Sequence, residues 1–257
     1  MTGEIIEAKT ARNIGTNIPG LKIEILPETT HHPISLVGQR AAVCWNSDSD
    51  PTKDYTRGLR CIQSKHGRVM EYVNIEFVVY DMSARAIREL YTHIGGAPTR
   101  LQASTRYIDY SSSDFYIPRS LIDNEKYINA MKGVIKTYNE LLVDGFPKED
   151  IANMLPLGMF SKTVLKCNLR MLENLMEQRL CGRTYEEMRE FAATLKKALI
   201  SYGDKFRDVD GINQWEEIAN NLFLPKCEKL GYCTETGSCG REPYKKVEWD
   251  HSQVVGE

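Results

Sequence analysis

The sequence has no long apolar run, no excess of basic residues and no familiar phosphate-binding loop. No apolar run approaches the length that a membrane span needs, so we expect no membrane helix and no membrane partner. The formal net charge of −2 argues against a nucleic-acid partner, because general nucleic-acid binders carry a basic excess. The glycine patterns of dinucleotide-binding and P-loop proteins are missing, so a nucleotide would need another kind of site.

Local elements of nucleophilic catalysis are also missing. The chain contains neither a GxSxG element nor a Pro-Cys-His element. Its start, MTGEIIEAKT, lacks the basic residues and apolar core of a signal peptide. The seven cysteines are therefore expected to be thiols in a reducing cytoplasm.

Three of those cysteines occur at even spacing near the C-terminus. Cys227, Cys233 and Cys239 are separated by five residues each, which is wider than the pairs of structural zinc sites. His251 is the candidate for a fourth ligand. The sequence therefore predicts no metal site.

The apolar pattern predicts an α+β fold with a small mixed or antiparallel sheet and long helices. Alternation predicts strands over 21–26 and 69–80, and a short strand within 100–117. Apolar residues at helical spacing predict the helices, with Ser83 and a Thr184–Glu187 capping box at two of the starts. The predicted helices cover 33–45, 54–64, 84–93, 120–143, 148–154, 163–179, 184–202 and 213–222. We divide the chain into a loosely ordered lead-in (1–18), one large domain (19–223) and a cysteine-containing tail (224–257).

A polar strip follows a Gly-Gly-Ala-Pro segment. Its members are Arg100, Gln102, Ser104, Arg106 and Tyr107. An arginine fork suits a phosphate, and a hydroxyl and a carboxamide suit a base or a sugar. The alternative is a solvated loop with ordinary surface contacts.

Two further groups carry polar side chains that a ligand would need. One group consists of basic residues and one carboxamide on the later helices: Asn168, Arg170, Arg179, Arg183, Arg189, Lys196 and Lys197. The alternative is that these are ordinary solvent-exposed side chains on helix surfaces. His66 and Glu71 flank a predicted helix-to-strand junction, where a helix-terminal histidine is the alternative.

Taken in order, these segments resemble the flavin-dependent thymidylate synthase (ThyX) family. Residues 102–107, QASTRY, are similar to the second half of the family signature, Arg-His-Arg followed by Ser-x-Arg-Tyr. Residues 65–72 resemble its His-x-x-x-x-Glu-His segment, and 83–88 its Ser-Arg-Ala helix. The early helix around 39–45 and the C-terminal series 155–157, 168–170, Arg179 and 187–189 also match, so the resemblance covers residues 20 to 205.

The sequence also departs from the family pattern. The Arg-His-Arg motif is absent: one register gives Thr92-His93-Ile94 and an ungapped register gives Ile94-Gly95-Gly96. Tyr72 stands for the second histidine, and Lys197 for a phosphate-binding arginine. The chain is thus identified as a divergent member.

The resemblance implies a ThyX-like fold and the methylation of dUMP at C5 to form dTMP. The one-carbon donor would be methylenetetrahydrofolate, the cofactor FAD and the reductant NADPH, in a homotetramer with shared active sites. Gln102, Ser104, Arg106, Tyr107, Arg170 and Lys197 would bind the substrate, with Ser104 and Arg106 catalytic. His66, Arg68, Glu71, His93, Arg100, Asn168 and Arg189 would contact the cofactor.

Two alternatives follow from the lost arginines and the rebuilt Gly-Gly-Ala-Pro segment. One is a pyrimidine-nucleotide C5 hydroxymethylase on the same scaffold. The other is a nucleotide-binding protein without turnover.

Overall fold

The fold was analysed in a computed structural model, which describes the backbone of residues 5–7 and all atoms of residues 20–96 and 98–247. The strands are β1 (Ile5–Glu7), β2 (Lys22–Ile25), β3 (Asn74–Ser83), β4 (Thr99–Gln102) and β5 (Phe160–Asn168). The helices are α1 (Pro33–Cys44), α2 (Pro51–Gln63), α3 (Gly67–Met70), α4 (Ala84–Leu90), α5 (Glu125–Val143), α6 (Lys148–Ile151), α7 (Leu169–Arg179), α8 (Glu186–Asp204), α9 (Gln214–Asn221) and α10 (Lys226–Leu230). The predicted α+β class is confirmed.

The strands form one antiparallel sheet in the order β1-β2-β3-β5-β4. Buried residues alternate along β2 and β3, so one face of the sheet is apolar. Helix α8 packs against this face, and Phe191 meets Phe77 at a ring-centroid distance of 6.1 Å. The opposite face is more polar, with an ion pair of 3.2 Å between Lys166 Nζ and Glu76 Oε1.

A smaller second core lies under α5. It contains the buried side chains of Tyr110, Tyr138, Ile151 and Met159. Tyr138 is the one buried residue of α5. The other apolar residues of this helix are therefore half-buried or exposed.

The helix predicted over 163–179 is wrong in its first part. Residues 160–168 form β5, and α7 begins only at Leu169. The burial pattern of β5 alternates with the two-residue period of a strand, not with the helical period that was predicted. Asn168 ends the strand and caps the helix, since its Oδ1 accepts a hydrogen bond of 2.9 Å from Met171 N.

Several other element starts also differ from the prediction: α2 begins at Pro51 rather than at residue 54, and α5 at Glu125 rather than at residue 120. The strand predicted from residue 69 begins at Asn74, because Gly67–Met70 forms the short helix α3. The Thr184–Glu187 capping box is wrong: the cap position is Tyr185, and Glu187 is buried. The Ser83 cap is confirmed, since its Oγ accepts from Ala86 N at 3.1 Å.

The predicted lead-in over 1–18 lies outside the described residues except for β1. Of the predicted tail, the structure describes residues 224–247, which include α10. His251 lies outside the described residues.

Candidate functional site

The polar strip begins on β4, an edge strand of the sheet. Pairing with β5 places Gln102 opposite Thr163 and leaves the Gln102 side chain exposed. Its Nε2 donates one long hydrogen bond, of 3.4 Å, to Ser161 Oγ. Arg100, in contrast, turns inward, since its guanidinium stacks 4.7 Å from the Tyr91 ring centroid and donates to the Tyr91 carbonyl. Gln102 is thus available to a ligand, whereas Arg100 packs against Tyr91.

The turn after β4 presents the rest of the strip to solvent. Ser104 Oγ accepts a hydrogen bond of 3.2 Å from Arg106 N, which ties the serine to the turn. The Arg106 Nε forms an ion pair of 2.8 Å with Glu149 Oε2, and both side chains are more than half exposed. Tyr107 is 74% exposed, and the Arg106 guanidinium lies 5.5 Å from its ring centroid. An exposed guanidinium, carboxamide and aromatic ring and a half-buried hydroxyl therefore share one edge.

A second cluster lies where α3 meets the start of α7. Arg170 Nη1 donates to Glu71 Oε1 at 2.6 Å. Arg170 also lies against Gly67, where an added Cβ would come within 3.0 Å of the guanidinium. His66 and Arg68 are exposed beside this pair. The structure therefore brings together the predicted residues of the 66–71 segment and Arg170.

The Gly-Gly segment contacts the same cluster through Asn168. Gly96 has a positive φ of 77°, and a Cβ there would lie 2.5 Å from Asn168 Nδ2. A Cβ at Gly95 would meet no atom within 4 Å. Residue 96 therefore has to be a glycine for the Asn168 carboxamide to occupy this position.

His93 lies in the interior. Its Nε2 accepts a hydrogen bond of 2.9 Å from Arg179 Nε, and Arg179 Nη1 lies 3.6 Å from Glu89 Oε2. Burial, and then the Arg179 charge, lowers the pKa of His93 to about 4, so the imidazole is neutral near pH 7. The Arg179–His93 bond joins residues far apart in sequence, and no local pattern indicated it. A cofactor contact from His93 stays a prediction, which its burial opposes.

Among the residues that the structure describes, the predicted residues of α8 make no hydrogen bond or ion pair to either cluster. Arg189 Nη1 donates to the Gly182 carbonyl at 2.9 Å. Lys197 is exposed, and no hydrogen bond or ion pair of its side chain is found among residues 20–96 and 98–247. Its neighbour Lys196 donates to the Phe223 carbonyl at 3.1 Å.

The predicted substrate residues are therefore not all adjacent within one chain. Gln102 lies beside Thr163, whereas Arg170 follows Asn168 at the far end of β5. Thr163 and Asn168 are five steps apart along the extended strand, about 17 Å at the usual rise per residue. Arg106 and Arg170 of the same chain thus follow opposite ends of the β4–β5 pairing.

No three histidine, cysteine, aspartate or glutamate side chains converge on a metal position in the part of the chain that the structure describes. No helix in these same residues combines the length and apolarity of a membrane span.

The sequence matches the family model for the thymidylate synthase complementing protein over residues 25–201. The chain therefore belongs to this family of flavin-dependent thymidylate synthases.

Individual relatives agree with this assignment. The chain is 31% identical over 178 residues to the flavin-dependent thymidylate synthase of Pyrococcus abyssi, covering 66% of this chain and 68% of that protein. It is 27% identical over 202 residues to that of Nitratidesulfovibrio vulgaris, covering 72% and 75%.

A solved structure supports the fold. Thymidylate synthase X from Helicobacter pylori, crystallised with FAD and dUMP, superimposes with a TM-score of 0.59 at 19% identity. The match covers 77% of this chain and all of that one. The shared fold is therefore that of ThyX.

Proposed function

We propose that this chain binds FAD and dUMP and methylates dUMP at C5 to form dTMP, with methylenetetrahydrofolate as carbon donor and NADPH as reductant. The observation that carries the proposal is the exposed strip Gln102–Tyr107, which presents the second half of the family signature at a sheet edge. Its side chains are donor-rich, and those of Gln102, Arg106 and Tyr107 are exposed. This arrangement suits an anionic nucleotide.

The strip offers complementary groups to the substrate. Arg106 engages Glu149 through Nε, and its fork geometry suits a phosphate or a uracil carbonyl. Ser104 uses its oxygen as an acceptor from Arg106 N, so its hydroxyl proton can be donated to a ligand. Donors held at the uracil carbonyls stabilise charge that develops there when C5 becomes nucleophilic.

The residues around Gly96 fit a flavin. The Asn168 Nδ2 occupies the space that a side chain at residue 96 would need. The space beside Gly95 is open, so a ligand there would lie next to the Asn168 carboxamide. Arg170, Arg68 and His66 add donors at this end of the surface. FAD, when bound here, would mediate transfer of the one-carbon unit and supply the reducing hydride, which no side chain can do. The chain's own residues would bind and orient it and keep its ring against the substrate.

The separation of the two clusters supports a shared site. Arg106 and Arg170 of one chain follow opposite ends of the β4–β5 pairing. A compact nucleotide site would therefore combine the polar strip of one chain with the Arg170 cluster of another. Helix α5 offers an assembly surface, since Ile128 and Ile135 line a surface groove of about 450 Å³ with Phe115 and Ile117. We propose a homotetramer on this basis. Lys197 would then complete a pocket across the interface.

The decisive experiment uses the purified full chain. A flavin absorbance band, together with release of tritium from C5-labelled dUMP in the presence of methylenetetrahydrofolate and NADPH, is the expected result. Arg106→Lys should reduce tritium release at least tenfold, whereas Arg207→Lys, remote from the strip, should not. Failure to bind flavin and to release tritium would refute the proposal. A nucleotide product that gains CH2O rather than CH2 would indicate the hydroxymethylase, and dUMP binding without flavin would indicate a non-catalytic protein.

A further inference from the structure

Four of the seven cysteines line one cavity of about 650 Å³. It lies between the α7–α8 turn and the C-terminal segment 224–247, and no residue of the polar strip lines it. Cys181 comes from the turn, and Cys227, Cys233 and Cys239 come from the C-terminal segment. All four are free thiols. The fold therefore adds a fourth cysteine to the three that are evenly spaced in sequence.

One contact shows how closely the two chain segments approach. Cys239 Sγ lies 2.7 Å from the position that a Cβ would take at Gly182, the residue after Cys181. Glycine at residue 182 is what allows the two chain segments to approach at this point.

The C-terminal segment has little else to hold it in place. Within 224–247, Pro225 and Cys233 are the buried residues. Lys229 Nζ pairs with Glu173 at 2.7 Å and with Glu177 at 2.9 Å, and Arg241 donates to the Leu180 carbonyl at 3.1 Å. These ion pairs are largely shielded from solvent, but a small segment without a core of its own depends on cross-links or metals.

We propose that Cys181, Cys227, Cys233 and Cys239 bind one Zn²⁺ ion as a tetrathiolate and thereby fasten the C-terminal segment to the α7–α8 turn. Four sulfur ligands in tetrahedral geometry suit zinc, and a site with four protein ligands is structural. The spacing in sequence is too wide for a local zinc knuckle. Cys181 comes from the distant α7–α8 turn, so the four ligands are brought together by tertiary structure rather than by their spacing in sequence.

Binding requires the sulfurs to draw together, since no three of them stand at coordinating distances among the described residues. Cys239 is exposed and lies between Gly237 and Gly240, whose φ is 87°, so this loop can adjust. Each thiol loses its proton to solvent as its Zn–S bond forms, which gives a complex of charge −2. The Arg183 guanidinium, packed against Gly237, lies where it offsets part of this charge.

The proposal is tested on the full chain, purified without chelator, by elemental analysis. The expected result is one zinc per chain. Replacement by Co²⁺ should produce sulfur-to-cobalt charge-transfer absorption and the intense visible bands of a tetrahedral site. This titration needs no variant, so it remains decisive if a substituted chain fails to fold. A chain that holds neither zinc nor cobalt would overturn the proposal.

Variants assign the ligands. Cys181→Ser and Cys239→Ser should each lower zinc content at least tenfold, whereas Cys44→Ser, at an exposed thiol away from the cavity, should leave it unchanged. Zinc retained in Cys181→Ser would overturn the four-ligand site. Iron with acid-labile sulfide, or a native mass showing a disulfide between two of the four, would also overturn it. The readout does not involve flavin or dUMP, so the zinc site can fail or stand independently of the proposed reaction.

Discussion

The imidazole of His93 accepts, at Nε2, a hydrogen bond of 2.9 Å from Arg179 Nε. His93 is 6% exposed, and Arg179 also approaches Glu89. The acceptor role requires a neutral ring, so proton uptake would break the bond and place two cations together. This pair links the end of α4 to the end of α7, next to the Gly-Gly segment.

This arrangement predicts that acid destabilises the protein through His93. The pKa is about 4 in the folded chain and 6.5 in the reference state, so the unfolded chain binds the proton first. The stability that comes from the lowered pKa of His93 is fully present above the pKa of the unfolded chain. It is lost as the pH falls toward the pKa of the folded chain. Between about pH 7.5 and about pH 5 the loss should be about 2 kcal/mol.

The measurement is urea unfolding at both pH values for the native chain and for His93→Gln, which cannot titrate. His31→Gln serves as a control, since its ring stacks on Phe206 at 3.8 Å instead. An equal pH dependence in the native chain and His93→Gln would contradict the prediction.

Gly96→Ala should destabilise the chain by about 1–2 kcal/mol, because alanine disfavours a positive φ and its Cβ would collide with Asn168. It should also weaken flavin binding if Asn168 contacts the cofactor. Gly95→Ala is the matched control, since its Cβ meets open space, and it should change stability by less than about 0.5 kcal/mol. Thermal unfolding and flavin titration of the two variants test the prediction, and equal effects would refute it.

Glu149→Gln should leave stability within about 0.5 kcal/mol of the native value, because its ion pair with Arg106 is exposed. Releasing Arg106 from Glu149 should also preserve or strengthen dUMP binding. Arg106→Ala should weaken that binding by about 1.5–3 kcal/mol, the range for hydrogen bonds to charged groups. Calorimetry with dUMP measures both. Weaker binding in Glu149→Gln would show that the pair itself is needed to orient the arginine.

Glu187→Gln should cost about 1–3 kcal/mol of stability. The buried carboxylate accepts hydrogen bonds from Ser83 N at 2.8 Å, Ser83 Oγ at 2.6 Å and Tyr185 OH at 2.9 Å. An amide presents a donor in place of one acceptor oxygen and leaves part of this set unpaired. Glu186→Gln, one residue earlier and only half-buried, is the control and should be nearly neutral. Chemical denaturation compares the two, and a neutral Glu187→Gln would contradict the assignment.

The sequence alone determined much of the architecture. Alternation in 21–26 and 73–79 identified β2 and most of β3, and helical spacing identified α5 and α8, because burial on one face imposes a period on the chain. The ordered motifs around 102–107 and 168–170 identified the family, since these positions carry the residue types of its signature.

Only the tertiary structure decided the rest. Residues 160–168 alternate weakly and run directly into α7, so strand and helix could not be separated until pairing with β3 and β4 was known. Glu187 matched a local capping pattern, yet its carboxylate bonds across the core to Ser83. His93 bonds to Arg179, and Cys181 lines one cavity with the C-terminal cysteines, because segments distant in sequence pack together. Local periodicity reports which face of an element is buried, whereas side-chain partners across the fold depend on how those elements pack.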